Sequence, residues 1–413
     1  MKARRRPSEA AAPAGDPRAA GAGGLGECLR PAWTQVSLDA LERNCRRLRA
    51  AVEPARVLAV IKADAYGHGA PAVGLALEAA GVDRLGVALV EEGAQLRRAG
   101  VRAPILVLGT AQPPQLPLLR RYRLTPTVAS LAQLGLWRDW AAPERQPVEV
   151  HLKVDTGMTR LGVAPEEAAA ALDEIRRHPG LRLAGVLSHL ADADHPESEH
   201  TAAQEAVFRG VLELLLPAER RRVEVHLANS AGALARPATR HSLVRLGLAL
   251  YGLDPLRGAA GDGADLEPAM SVVARIVQLR EVPAGARLGY GGRRVTARAS
   301  RLAVVPVGYA DGYLWRLSDR AAALAGGRRV PIAGAVSMDM TLLDVTDTAA
   351  ALGDEVVLLG RQGGEEVTAW ELADAAGTIP WELLCLLGRR LPRRYLRGGR
   401  VVEEESRFRG GPG

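Results

Sequence analysis

The chain has 413 residues, a formal net charge of +7, 47% hydrophobic residues and 24% charged ones. That length exceeds one ordinary core and predicts two domains of a globular protein. No apolar run is long enough to cross a bilayer, the arginines are balanced locally by Asp and Glu, and three cysteines form no CxxC pair, which argues against a membrane protein, a nucleic-acid binder and a disulfide scaffold, and predicts reduced thiols in a cytoplasmic protein.

Residues 1–30, rich in Ala, Gly, Pro and Arg, read as a disordered tail. The basic run at 2–6 is followed by no apolar segment, so it is not a secretory signal, and the Pro and Gly content opposes a transit helix. AWTQVSLDALERN alternates like a strand and turns helical at Ser37 and Asp39. Eight apolar strands then follow, at 57–61, 85–88, 105–108, 124–128, 148–154, 183–188, 223–227 and 243–246. Helical stretches lie between them, at 70–80, 91–99, 165–177 and 201–216 among others. This alternation predicts a (β/α)8 barrel over 31–269. A doubly wound open sheet is the alternative, but it offers a Gly-rich turn after its first strand, where this chain has lysine. From Met270 the texture changes to short apolar segments broken by Gly, Pro and Asp, which predicts a mostly β domain over 270–397, closed by helical pieces at 369–376 and 381–387. Residues 398–413 read as a second, frayed tail.

The first barrel strand runs into VIKADAYGHG. Of 54 basic residues only Lys2, Lys62 and Lys153 are lysine; the rest are arginine. Arginine keeps its proton inside a protein, whereas a lysine amine can lose it and become a nucleophile or base. In a barrel of this kind the active site gathers at the C-terminal ends of the strands. Those ends carry Lys62 and Tyr66, Lys153, Asp155, Gly157 and Arg160, His189, Asn229 and Ser230, Arg245 and Gly247. Each alone has a plainer explanation: Ser230 as a helix cap, His189 as a core histidine, Asp155-Thr156-Gly157 as a turn. Those explanations do not account for one shared rim. A lysine for an aldehyde, Ser230 and Gly247 for a phosphate, and a charged partner for a ring nitrogen together describe a pyridoxal phosphate site.

VIKADAYGHG, HLKVDTGMTRLG, GVLSHLADAD, HLANSAGAL, VRLGLALYGL, LGYGG, VPVGYADGY and GAVSMDM resemble the alanine racemase family over about residues 32–395. The resemblance implies a pyridoxal 5'-phosphate barrel, a C-terminal β domain, alanine as substrate, D-alanine supplied for peptidoglycan, and a homodimer with shared active sites. It implies that Lys62 carries the cofactor and acts as one base, with Tyr290 as the other. Tyr66, Ser230 and Gly247 would hold the phosphate, Arg245 would face the pyridine nitrogen, and Arg160 and Met338 would bind the substrate carboxylate. Lys153, His189 and Asp339 would stand behind these groups, and Lys153 matches a position carbamylated in some members. No metal is implied. Ala335 and Ser337 stand where the family often has arginine and cysteine, and Arg389 stands where some members place a phosphate-contacting tyrosine. The rival readings are a broader-specificity racemase, a non-catalytic pyridoxal-phosphate-binding protein without the β domain, and a decarboxylase, which would present an acid where Arg245 stands.

Lys62→Arg keeps the charge and the approximate size but cannot supply a neutral amine. The variant is expected to lack the visible absorbance of a lysine-bound cofactor and to lose racemase activity to near background. A yellow, active variant would remove Lys62 from that role.

Overall fold

The computed structural model describes residues 29–141, 147–258, 265–388 and 390–407. The expected tail at 1–28, the end at 408–413 and Arg389 lie outside the described residues. Strand β1 (Ala32–Ser37) runs directly into the helix Leu38–Val52, whose first turn is capped by Ser37 Oγ accepting from the Ala40 N–H at 3.1 Å. The barrel strands follow: β2 (Arg56–Val60), β3 (Arg84–Val87), β4 (Ile105–Val107), β5 (Leu124–Val128), β6 (Val148–Lys153), β7 (Leu181–Leu187), β8 (Glu224–His226) and β9 (Leu243–Leu246). They pair in parallel in the order β8-β7-β6-β5-β4-β3-β2-β9, as the eight-stranded reading expected. Their runs of Val, Leu, Ile and Ala are buried on both faces, which suits a parallel sheet wrapped by helices. β8 and β9 share no ladder. Single bonds close that seam: Ser242 N–H to the Val225 carbonyl at 3.2 Å and Arg245 N–H to the Ala228 carbonyl at 3.0 Å.

The second half is mostly β: β10 (Met270–Arg275), β11 (Gln278–Val282), β12 (Arg287–Leu288), β13 (Arg294–Val295), β14 (Ser300–Val305), β15 (Ala322–Ala325), β16 (Arg328–Pro331), β17 (Thr341–Asp344), β18 (Glu355–Gln362), β19 (Glu365–Val367), β20 (Arg393–Arg397) and β21 (Arg400–Glu405). Two expectations need correction. β1 is not part of the barrel; it lies in this second sheet, antiparallel to β10 and parallel to β20. Its alternating pattern suits such a sheet, whereas most barrel strands are runs of apolar residues. Residues 400–405, expected as frayed tail, form β21 against β20, where Arg393 faces Glu405 and Arg394 faces Glu404. The run of three glutamates hides the strand pattern, and the cross-strand arginines hold it in place. Among the described residues no helix is long and apolar enough to cross a membrane.

Between β2 and the helix Ala70–Ala79 the backbone does something rare. Ala63, Asp64, Ala65 and Tyr66 all have φ between +52° and +55°, a left-handed helical turn. Each such residue costs about 1–2 kcal/mol, so the turn needs support. It is bonded internally from Ala65 N–H to the Ile61 carbonyl at 3.0 Å and from Gly67 N–H to the Ala63 carbonyl at 3.1 Å. Glu92 Oε1 accepts from Ala63 N–H at 2.7 Å. From β20, Arg393 pairs with the Asp64 carboxylate at 2.5 Å and donates to the Gly67 carbonyl at 3.0 Å. Gly67 and Gly69 have φ of +81° and +91°, and a Cβ there would lie 2.1 Å from the Leu384 carbonyl oxygen and 1.8 Å from Tyr395 Oη. The second sheet therefore clamps the turn that carries Lys62 and Tyr66.

The N-terminal boundary also moves. Arg30, expected within the tail, pairs with the fully buried Asp311 at 2.7 Å and donates to the carbonyls of Arg390 and Pro306 at 3.1 Å. Deleting residues 1–28 is expected to leave the melting temperature near the parental value. Extending the deletion through Arg30 should cost about 1–3 kcal/mol, because a buried carboxylate loses one of two cations. Equal melting temperatures for the two deletions would refute this account of Arg30.

Candidate active site

A cavity of about 740 Å³ opens at the C-terminal ends of the barrel strands. Lys62, Tyr66, Lys153, Arg160, His189, Ser230, Arg245 and Gly247 line it, with Ile379 and Trp381 from the second half of the chain. All the barrel residues expected on this rim except Asp155 and Gly157 reach the cavity wall. Asp155 sits behind it and shapes the loop that ends in Arg160. Its carboxylate accepts from the N–H groups of Gly157 and Thr159 at 3.0 Å and Arg160 at 2.9 Å. Partial burial raises its pKa, but those backbone bonds outweigh burial and hold it below the usual carboxylate range.

Arg245 is the buried centre of the site, 4% exposed. Among the described residues its guanidinium meets no carboxylate. It donates to the carbonyls of His226 at 2.8 Å, Leu227 at 2.9 Å and Ser188 at 2.7 Å. It also donates to His189 Nδ1 at 3.0 Å and stands 3.3 Å from His226 Nδ1. Burial pulls its pKa down to about 10, so it remains a cation at neutral pH. As a permanent donor it forces both imidazoles to accept. His226 then carries its proton on Nε2 and donates to His151 Nδ1 at 2.9 Å, and His151 Nε2 faces Glu224 at 3.6 Å. Burial, with Arg245 next in size for His189, holds His189 far below the ordinary imidazole value; burial and then His151 do the same for His226. A chain of polar groups thus runs through the barrel interior from Arg245 to Glu224, which Arg84 and Arg56 neutralise at 2.6 and 3.0 Å. Sequence reasoning missed His151, His226 and Glu224. Polar residues inside otherwise apolar strands were the available signal.

The two interior lysines share this cationic setting. Burial lowers the pKa of Lys62, and Arg160 adds to the effect. Burial brings Lys153 down to about 7, with Arg245 and Arg160 contributing. Both amines are therefore available in neutral form far more readily than a surface lysine.

Ser230 and Gly247 meet directly: the Gly247 N–H donates to Ser230 Oγ at 2.8 Å. Ser230 is not the cap of the helix Ser230–Ala235. Asn229 takes that role, accepting from the Gly232 N–H at 2.9 Å, which leaves Ser230 turned into the site. Gly247 is required by a close approach, since a Cβ there would stand 2.6 Å from Tyr66 Oη. A lysine with a lowered pKa, a serine, a tyrosine and a backbone N–H at one glycine cradle, with a fixed cation on the same cavity wall, fit pyridoxal phosphate in chemistry and in volume.

Tyr290, Met338 and Asp339 do not join this cavity. Tyr290 is 76% exposed on the turn Tyr290–Gly292, and Met338 is 52% exposed. The Met338 carbonyl accepts from Ala310 N–H at 3.0 Å, and Asp339 pairs with Arg390 at 2.6 Å.

The alanine racemase N-terminal domain matches residues 36–255 and the C-terminal domain matches residues 269–395. An alanine racemase of Symbiobacterium thermophilum is 43% identical over 378 residues, covering 89% of this chain and 97% of that protein. One of Sorangium cellulosum is 44% identical over 385 residues, covering 89% and 99%. Among solved structures, alanine racemase of Clostridium difficile 630 superposes with a TM-score of 0.85 at 32% identity, covering 92% of this chain and all of that one (100%). The enzyme of Bartonella henselae, solved with covalently bound pyridoxal phosphate, superposes with a TM-score of 0.80 at 30% identity, covering 89% and 99%. With both halves matched in order and the barrel rim in place, this chain belongs to the alanine racemase family.

Proposed function

We propose that this chain interconverts L-alanine and D-alanine with pyridoxal 5'-phosphate as cofactor, and so supplies D-alanine for peptidoglycan. The observation that carries the reading is Lys62, an amine made easy to deprotonate at the mouth of a barrel whose cavity it shares with the buried cation Arg245. Lys62, Tyr66, Ser230, Gly247 and Arg245 would hold the cofactor. When bound, pyridoxal phosphate withdraws electrons from the substrate Cα and makes its proton removable. Lys62 Nζ takes that proton on one face. Arg160 attracts the substrate carboxylate and fixes which bond stands beside the base. Arg245 would face the cofactor's ring nitrogen as a donor that keeps its proton at neutral pH, and would so limit how strongly the bound group withdraws electrons. His189 and His226, held neutral, keep Arg245 aimed. The second domain argues against the rival non-catalytic reading, and Arg245 argues against the decarboxylase.

Racemisation needs a second base on the opposite face. Tyr290 is assigned that role from a partner subunit. Tyr290, Tyr309, Trp315, Met338 and Met340 are large apolar groups left 43–76% exposed on the second half of the chain. Two of the segments that carry them are tied together: Tyr309 N–H bonds the Ser337 carbonyl and Ala310 N–H bonds the Met338 carbonyl, both at 3.0 Å. Exposed apolar side chains of this kind suit the face of a dimer. In a twofold dimer it would complete two equivalent sites. Lys153 supports a further assignment: its neutral amine can add to carbon dioxide, forming an N–C bond and releasing a proton, and Arg160 and Arg245 would receive the resulting anion.

The activity test is direct. The pure protein is incubated with single L-amino acids and the D-product is measured. Rapid D-alanine formation is expected, and equal rates with larger amino acids would favour the broader-specificity racemase. The dimer is tested by mixing Lys62→Ala and Tyr290→Ala proteins under subunit exchange. Half the dimers become mixed and each holds one intact site, so activity should recover to roughly a quarter of the parent. Exchange proven by differently tagged chains with no recovery would place Tyr290 in cis or outside the mechanism. The Lys153 prediction concerns stability. Its folded pKa of about 7 lies below the unfolded 10.5, so the folded state releases the proton first and stability rises with pH between those values. Lys153→Met is expected to flatten that rise in denaturant titrations, and an unchanged slope would contradict the lowered pKa.

A further inference from the structure

Arg160 is exposed at the cavity wall, and among the described residues no hydrogen bond or ion pair holds its guanidinium. Its reach is therefore set by its backbone, in the loop of residues 155–162 after β6. That loop is not a relaxed one. Thr159, a β-branched residue, stands at φ +55°, and Gly157 and Gly162 stand at +136° and +134°. The base of the loop is bonded to the end of β6 by Asp155 N–H to the Val163 carbonyl and Val163 N–H to the Lys153 carbonyl, both at 2.9 Å. The Asp155 carboxylate gathers the loop's own N–H groups and so ties the loop only to itself. Its outer part is held from another element.

That element is the helix Glu199–Glu213, which follows β7. Its first turn is anchored: Ser198 Oγ accepts from the Thr201 N–H at 3.3 Å, and the fully buried Thr201 Oγ1 donates to the Asp192 carbonyl at 3.0 Å. His200 and Gln204, spaced i and i+4, share one face of this helix, and both meet the loop. His200 Nε2 lies 3.1 Å from the Gly157 carbonyl; a carbonyl only accepts, so Nε2 carries the proton. Gln204 is fully buried and uses both ends of its carboxamide. Its Oε1 accepts from the Ala191 N–H at 2.8 Å, and its Nε2 donates to the His189 carbonyl at 2.9 Å and to Thr156 Oγ1 at 3.4 Å. Thr156 Oγ1 also meets Ser188 Oγ at 2.8 Å. The Gly157 backbone lies against both side chains, since a Cβ there would stand 3.1 Å from His200 Cε1 and 3.2 Å from Gln204 Cγ. One amide thus ties the loop that carries Arg160 to the loop that carries His189, the histidine that accepts from Arg245.

We propose that Gln204 and His200 are positioning residues for the substrate carboxylate, a role that rests on the carboxylate-binding part given to Arg160 above. Neither lines the catalytic cavity. Both act through Arg160: they set the backbone from which its guanidinium extends, and Gln204 sets that backbone's place relative to the groups around Arg245. A misplacement of about 1 Å in a binding group can cost up to about a hundredfold. Loss of either side chain, with the loop still folded on Asp155, should therefore cost about tenfold. Arg160 grips the carboxylate in the substrate and in the transition state alike, so the loss falls on KM and not on kcat.

The test uses the full-length protein loaded with cofactor. Gln204→Met keeps the length and loses the bonds; His200→Phe keeps a ring and loses the donor. Both should raise KM for L-alanine about tenfold and leave kcat within about threefold of the parent. His200→Gln, whose amide can still donate to the Gly157 carbonyl, should bring KM back to within about threefold. Calorimetry with two probes separates positioning from general damage. Propionate offers a carboxylate without an amine, and ethylamine an amine without a carboxylate. Propionate should bind about tenfold more weakly to both variants, while ethylamine should stay within about twofold of the parent. His200 is exposed, so His200→Phe carries the test if Gln204→Met fails to fold. An unchanged KM in His200→Phe, equal weakening of the two probes, or a fall in kcat with KM intact would overturn the assignment. A parent protein that binds propionate but makes no D-alanine would instead refute the racemase reading, and the two probes would still decide the role of Gln204 and His200.

Discussion

The structure turns on one buried cation. Arg245 enters the barrel from β9 and spends its donors on the ends of β7 and β8. Removing a guanidinium from water costs several kcal/mol, and no carboxylate repays it here. Three carbonyls and two imidazoles do so instead, each charge-assisted bond contributing about 1.5–3 kcal/mol. That choice propagates. The imidazoles must be neutral acceptors, which fixes their tautomers and, through His151, orders a polar chain down the barrel axis. The absence of an acid beside Arg245 keeps the local field positive, and that field adds to burial in lowering both interior lysines. One residue thereby organises the barrel's polar interior and the chemistry at its mouth.

A second constraint works from outside the barrel. The turn that presents Lys62 is left-handed over four residues that all carry a Cβ, a conformation no local sequence favours. It persists because Arg393, Leu384 and Tyr395 surround it, and all three belong to the last sixth of the chain. Lys62 is held by residues more than three hundred positions away. The β domain is therefore more than a carrier for Tyr290; it holds the lysine of its own chain in place.

Much of this could be read before any coordinates. The eight barrel strands were legible because a parallel sheet buried on both faces needs continuous apolar runs, and the rim followed because titratable residues come directly after those runs. Lys62 and Lys153 stood out against a chain that otherwise uses arginine. Other features were not legible. β1 has a plain strand pattern, but nothing local says which sheet it joins. β21 is half glutamate, and the partners of those glutamates are arginines on the neighbouring strand. The cap at Asn229, which frees Ser230, is a choice between adjacent residues that only geometry makes. His151, His226 and Glu224 sit within strands, where a polar residue reads as an irregularity until Arg245 gives it a partner.

The seam between β8 and β9 carries a last implication. It is the one junction of the barrel without a ladder, and the loops that leave it are those of Ser230 and Gly247, joined at 2.8 Å by a single hydrogen bond. A phosphate seated on those two groups would act as a rivet across the joint, tying together two strand ends that the backbone alone fastens loosely. Cofactor and barrel would then stabilise each other, because the ligand closes the same gap that creates its seat. The open joint is what lets a small anion become part of the wall.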